Sequence, residues 1–230
     1  MLRNKVKVLM SKYPRIFSMF LKLYNLTLGR NKKRVASKNY LKIGTAFMFK
    51  TNITVKGKGN NVIIKDFSRL KNCKITIHGN NNNIIIDEKT NLNFTELYIE
   101  DDGSEIVIGK GTTICGVTYF SAIEGTKIHV GEDCLFSNDI HFRTGDSHSI
   151  TDLNGKRINP SENIEVGNHV WIGSKVTCLK GSRIKENCIV GTGSLVTKSF
   201  SESNVILAGS PAKVVKNDVN WLGDRILINP

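Results

Sequence analysis

The sequence predicts an all-β solenoid behind a basic, helical N-terminal segment. Ile64, Ile86, Ile108 and Val130 stand 22 residues apart, and the same interval relates Val55, Ile77 and Ile99, and Ile53, Ile75 and Leu97. Nearer the C-terminus the interval shortens to 18, from Val166 to Ile184, Ile172 to Val190 and Gly173 to Gly191. Short β-branched runs such as Ile53-Thr-Val55 and Ile84-Ile-Ile86 alternate with Asn, Gly and Asp clusters. A fixed period of this size marks stacked coils, each too thin to bury its apolar face without a neighbour.

Taken in order, residues 2–29 read as helix, because Val6, Leu9, Met10, Tyr13, Phe17, Phe20, Leu21 and Tyr24 recur at three- and four-residue steps. Pro14 is expected to kink or split this helix. Gly29 is the expected stop, and Arg30–Arg34 a basic linker. Residues 1–40 therefore form a basic amphipathic segment. It docks on the first coil or a neighbouring subunit, or lies on an anionic membrane surface.

Residues 41–213 form the solenoid. Asn60, Asn61 and Asn80–Asn83 suit tight corners, since Asn tolerates left-handed backbone. In the C-terminal part small or apolar residues recur about every six positions. Three such units make one 18-residue coil and a three-sided prism, and the 22-residue coils are the same prism with about four extra residues at one corner. Residues 214–230 are a tail.

The net charge of +13 belongs to one region. The first 65 residues hold 16 Lys and Arg and no Asp or Glu; the remaining 165 hold 17 against 20. A segment of this kind binds anionic lipid or acidic polymer. Nucleic acid is not expected, because no aromatic-basic signature or zinc-finger spacing is present. Cys73, Cys115, Cys134, Cys178 and Cys188 form no C-x-x-C pair and mostly replace apolar repeat positions. They read as reduced core packers in a cytosolic protein. No secretory signal is evident, and the apolar stretch Ile16–Leu28, broken by Lys22 and Asn25, is too short to span a membrane.

From Val130 to Val166 is 36 residues, two 18-residue coils, and alternation fades after Thr144. Residues 141–160 therefore read as a loop thrown out of the prism, where function concentrates on a rigid scaffold.

Three motifs now carry a resemblance. Val166-Gly-Asn-His-Val-Trp-Ile-Gly-Ser174, Gly191-Thr-Gly-Ser-Leu-Val-Thr-Lys198 and Ala208-Gly-Ser-Pro-Ala-Lys213 resemble the hexapeptide-repeat acyltransferases, among them bacterial capsule and O-antigen O-acetyltransferases. The match is dense over 128–213, fades to a bare repeat over 41–127 and is absent from 1–40. The resemblance implies a left-handed parallel β-helix, a homotrimer with sites between subunits, acetyl-CoA as acyl donor and a saccharide acceptor.

It also assigns residues. The family places a general-base His on a loop before the Val-Trp-Ile-Gly motif, and His148 lies 23 residues before Trp171. An imidazole suits the task, because a hydroxyl must lose its proton as it attacks a thioester. Its second nitrogen then needs an acceptor, with Asp146, Asp152 or a backbone carbonyl at hand. Asn138, His141, Arg143 and Trp171 fall to the acceptor side. Trp171, Gly173, Ser174, Gly191 and Gly193 fall to the donor, with Lys198 and Lys213 as candidates for its phosphates. His169 reads as a turn residue. No His/Asp cluster has metal-ligand spacing, so no metal is expected.

The expected function is acetyl-CoA-dependent O-acetylation of a sugar hydroxyl in a bacterial surface polysaccharide or its precursor, in the cytoplasm or at the inner face of the membrane. N-acetylation of an amino-sugar nucleotide and a non-catalytic β-helix scaffold are the alternatives.

Overall fold

A computed structural model describes residues 13–224 and 226. β-Branched runs at a fixed interval can pair only with their own repeats, and they do. Among the described residues the chain winds through three sheets of eight, seven and nine strands, which are the three faces of a prism. Ile64 pairs in register with Ile86, Ile86 with Ile108, and Ile108 with Val130. Val166 pairs with Ile184, and Ile172 with Val190. Every pairing is parallel except the last, where Ile206–Gly209 and Ala212–Lys216 close the third face as an antiparallel hairpin.

The core is the inside of the prism. Ile75, Ile77, Ile84, Ile86, Leu97, Ile99, Ile106 and Ile108 are each at most 1% exposed. Each such side chain contributes about 1.5–3 kcal/mol relative to leaving it in water. Midway along, Phe120 and Phe142 stack at 4.6 Å, and Phe136 meets Phe142 at 5.6 Å.

The two coil lengths differ at a definite place. From the first face to the second the inward step is eleven residues for Ile75 to Ile86, but six for Cys178 to Ile184. The following step to the third face is six in both, Ile86 to Leu92 and Ile184 to Val190. The long coils are therefore widened at the corner between the first and second faces. That corner is held by buried amides. Asn39 Oδ1 accepts from the Asn60 N–H, Asn60 Oδ1 from the Asn82 N–H (2.9 Å), and Asn82 Oδ1 from the Ser104 N–H (2.7 Å). Asn60 and Asn82 are fully buried, and among the corner asparagines only Asn81 takes a left-handed backbone (φ 56°). The expected role of these asparagines is thus corrected: most bond the next coil, and few bend the chain.

Four further expectations change. Helix α1 (Pro14–Leu26) begins at Pro14, which occupies its first turn, where a missing N–H costs nothing; residues 2–12 of the expected helix lie outside the described residues. Lys32–Val35, read as linker, is a strand pairing with Asn52–Val55, so coils begin before residue 41. The hairpin extends to Lys216, and Trp221 beyond it is buried against His169. Cys115 is exposed, whereas Cys73, Cys134, Cys178 and Cys188 are buried. Burial pushes the Cys73 and Cys134 thiols up to about 11 and Cys178 to about 12, so these remain unreactive thiols.

Candidate active site

The segment after Arg143 leaves the prism at the widened corner. Thr144, fully buried, anchors its start: its Oγ1 accepts from the Ile123 N–H and lies 2.6 Å from Thr126 Oγ1. The chain rejoins at Ile164–Val166, whose Val166 pairs with Val130. Between these points it forms a small hairpin. Ile158 N–H donates to the Ile150 carbonyl, and Asp152 N–H to that of Lys156. Asp152 Oδ1 accepts from the Asn154 and Lys156 N–H groups and so caps the tip.

Glu124, one coil earlier, clamps this hairpin. Arg157 donates to both its oxygens, at 2.6 and 3.0 Å, and Ser161 Oγ to one at 2.7 Å. The Arg157 hydrogen bond, then that of Ser161, holds the Glu124 carboxyl down at about 2. Asn159, only 6% exposed, joins the loop's two arms. Its Nδ2 donates to Asp146 Oδ2 and to the His148 carbonyl, and its Oδ1 accepts from the Ile150 N–H.

His148 is exposed and lines a cavity of about 410 Å³ with Arg143, Gly145, Asp146, Ser147, Leu179 and Lys180. The structure therefore brings together His148, Asp146 and Arg143. It does not pair Asp146 with the imidazole. Lys180 Nζ approaches Asp146 Oδ2 at 2.6 Å, Asn159 takes the same oxygen, and the Lys180 hydrogen bond leads in lowering the Asp146 carboxyl. Asp152 is committed to the hairpin tip. Among the described residues no hydrogen bond reaches the His148 ring, so neither carboxylate orients it within one chain. Arg143 Nη2 donates to Ser147 Oγ, and His141 Nε2 lies 3.4 Å from Asp139 Oδ1.

Trp171 and Asn138 belong to a second cavity, of about 650 Å³, with Phe94, Cys115, Val117 and Leu135. Trp171, assigned to both acceptor and donor, faces outward but on another side of the prism from the loop. The loop joins the first and second faces, whereas Trp171–Ile172 is a strand of the third. The two cavities share no lining residue. Asn138 Oδ1 accepts from the Val117 N–H at 2.8 Å, as Asn168 Oδ1 does from the Glu132 N–H, so Asn138 ties its corner to the preceding coil.

Gly173, Ser174, Gly191 and Gly193 share the third face and the corner after it, with unequal roles. A Cβ on Gly173 would stand 2.8 Å from the Thr192 nitrogen, and one on Gly191 would press on Ala208. These two glycines make room for the next coil. Only Gly193, at φ 73° with nothing within 4 Å, leaves open space. Lys213 is exposed on the third-face hairpin, and Lys198 lies over the Phe200 ring near the opposite corner, so the two do not converge.

His169 takes a left-handed turn (φ 52°), as expected of a turn residue. It also stacks on Trp221 at 4.2 Å, and Trp221 Nε1 donates to its carbonyl. Asn159, Lys180, Glu124 and Trp221 escape a sequence reading because their partners lie 13 to 52 residues away outside the repeat. Among the described residues no three His, Cys, Asp or Glu side chains gather to hold a metal ion, and no helix is long and apolar enough to cross a membrane.

A parallel three-faced solenoid with a His-bearing loop at one corner defines a class, and likeness to solved proteins confirms it: the chain belongs to the hexapeptide-repeat acyltransferase family. The structure of the polysialic acid O-acetyltransferase OatWY matches with a TM-score of 0.80 and 33% identity, over 86% of this chain and 92% of that one. That of the polySia-specific acetyltransferase NeuO matches with a TM-score of 0.78 and 26% identity, over 84% and 88%. Polysialic acid O-acetyltransferases of Escherichia coli O1:K1 and Neisseria meningitidis are 33% and 36% identical over 90 and 91 residues. Those stretches cover 39% of this chain but only 29% and 42% of the two curated relatives. No family model matches.

Proposed function

We propose that this protein transfers an acetyl group from acetyl-CoA to a sugar hydroxyl of a capsule polysaccharide, with a sialic acid polymer as the first acceptor to test. The observation that carries this reading is the likeness to OatWY across nearly its whole chain, joined to an exposed His at the mouth of a loop cavity. His148 takes the acceptor proton as the oxygen bonds to the acyl carbon. The C–S bond breaks, the sulfur leaves, and the proton passes from His148 to it, so the base is restored. Backbone N–H groups along the coil edge meet the charge that develops on the thioester oxygen.

The donor would lie along the third face, against Trp171, the open edge at Gly193 and Lys213. That face is separate from the His148 cavity within one chain, which supports a site shared between subunits of a trimer. Ile150, Leu153 and Ile158 on the loop are all more than half exposed, as expected of a loop that packs on a neighbour. The neighbour would also supply what the His148 ring lacks here. Helix α1 exposes Ile16, Met19, Phe20, Leu23 and Leu26 beside Arg15 and Lys22, which supports contact with the inner face of an anionic membrane.

The experiment is thiol release from acetyl-CoA with sialic acid polymer and other capsule polysaccharides, for the wild type and His148→Ala. Acceptor-dependent release that falls on the order of 10²–10⁴-fold in a folded variant supports the reading. Release unchanged in the variant removes His148 as base, and no release with any polysaccharide removes the polymer acceptor.

A further inference from the structure

Outward residues of a solenoid stack into columns one coil apart, so a residue type repeated there becomes a continuous stripe. On the first face, Tyr119 and His141 are partners in register, and Tyr98 and His78, whose own partners in register are Ser121 and Glu100, extend the stripe diagonally. From His78 to His141 successive ring centroids stand 6.1, 6.4 and 6.2 Å apart, and all four residues are half-buried. The second face shows no counterpart. Its outward column from Ile63 runs through Ile85 and Val107 to His129, Glu165 and Arg183. The stripe is also placed: it ends at His141, two residues before Arg143, which lines the His148 cavity.

We infer that this stripe is an extended acceptor subsite, on which successive sugar rings of a polysaccharide chain stack on the way to the His148 cavity. The inference rests on the proposed acceptor class. A pyranose presents C–H groups on its faces and hydroxyls at its rim. Aromatic faces carry negative potential that attracts C–H edges, while phenol and imidazole edges bond hydroxyls. Of the carboxylates beside the stripe, Glu96 pairs with Lys74 at 2.8 Å, Glu100 accepts from Tyr98 OH, and Asp139 lies 3.4 Å from His141 Nε2. Beyond His78 the same face continues to Lys56, Arg34 and Lys32, in the region that lacks acidic residues. Aromatic in the middle and cationic at both ends, the face suits an acidic saccharide polymer.

The test uses the full-length protein with Tyr98→Ala, Tyr119→Ala and the conservative Tyr98→Phe and Tyr119→Phe. Binding of long sialic acid polymer without donor, transfer to it, and oligomeric state are measured together. Each Ala variant should weaken polymer binding roughly tenfold, in the range lost with an aromatic anchor. Tyr119→Phe, which keeps the stacking face, should recover most of the binding that Tyr119→Ala loses. Tyr98→Phe, which also releases Glu100, should fall between wild type and Tyr98→Ala, and the oligomer should persist throughout. Ala variants that bind polymer as tightly as wild type overturn the inference and leave the proposed function standing. Ala variants that lose binding only together with the oligomer overturn it too, by making the stripe a contact between copies of the chain. A wild type that neither binds nor acetylates saccharide polymer brings down the proposed function instead.

Discussion

The 22-residue coils and the 18-residue coils share one prism and differ chiefly at one corner. In the long coils the turn from first to second face is wide and filled by the stacked amides of Asn39, Asn60 and Asn82. In the short coils it is three residues, Lys180 to Ser182, with Ser182 Oγ donating to the Val196 carbonyl. The His148 loop is the extreme case of the same variation, since it departs after Arg143 and returns at Ile164. The turn from second to third face keeps one length, and that from third to first changes by a single residue, from five for Leu92 to Leu97 to six for Val190 to Val196. The His148 loop thus lies at the corner where coil length varies most.

If corner and wall are separable, mutations will sort by place. His148→Ala should lower turnover on the order of 10²–10⁴-fold with the melting transition unmoved. Ile86→Ala, in the wall, should do the reverse. It should cost about 2–5 kcal/mol in denaturant unfolding while activity per folded molecule stays at the wild-type value. Equal losses on both readouts in either variant would end the distinction.

Asn82→Ala attacks the wide corner itself. It leaves the buried Ser104 N–H and Asp101 carbonyl without partners, and urea titration should show a loss of about 1–3 kcal/mol. A loss below a few tenths would mean the corner is held by strands alone. In the short coils, Gly173→Ala forces its Cβ against the Thr192 nitrogen, and thermal unfolding should drop by an amount near 1–3 kcal/mol. Gly193→Ala meets no atom and should cost only the roughly 1–2 kcal/mol of a left-handed backbone.

The smallest effect is acidic. The Glu124 carboxyl is held near 2 by Arg157 and Ser161, below its ordinary 4.5. It therefore supports the loop at every pH above about 4.5, and that support fades as pH falls from there through about 2. Hydrogen exchange over residues 150–158 should stay flat down to about pH 4.5, after correction for the intrinsic rate, and then rise. In Glu124→Gln exchange should already be raised at pH 7 and lack that acid step.

The wall was legible because identical β-branched residues at a fixed interval leave one register, and Ile64, Ile86 and Ile108 pair as the interval requires. The loop was legible because alternation stops after Thr144. What escaped lacks a period. Lys32–Val35 pairs with Asn52–Val55 at an interval of 20, and three of its four residues are exposed, so neither period nor hydrophobicity marked it. Asp146 looked free to serve His148 until Lys180, 34 residues on, was seen to hold it. Trp171 lies away from the loop because a three-faced prism turns the chain to another side between the loop and that strand.

Two small covers close the third face at its ends. Asn25 of helix α1 donates to the Ala46 carbonyl and accepts from the Met48 N–H, occupying the open edge of Phe47–Phe49. At the other end of the same sheet, Ala212–Lys216 folds back antiparallel. A parallel stack otherwise ends in unpaired peptide groups that would template another chain. On this face the ladder is closed at both ends, so one side of a fold built on the geometry of a growing fibre offers no parallel edge to a further coil.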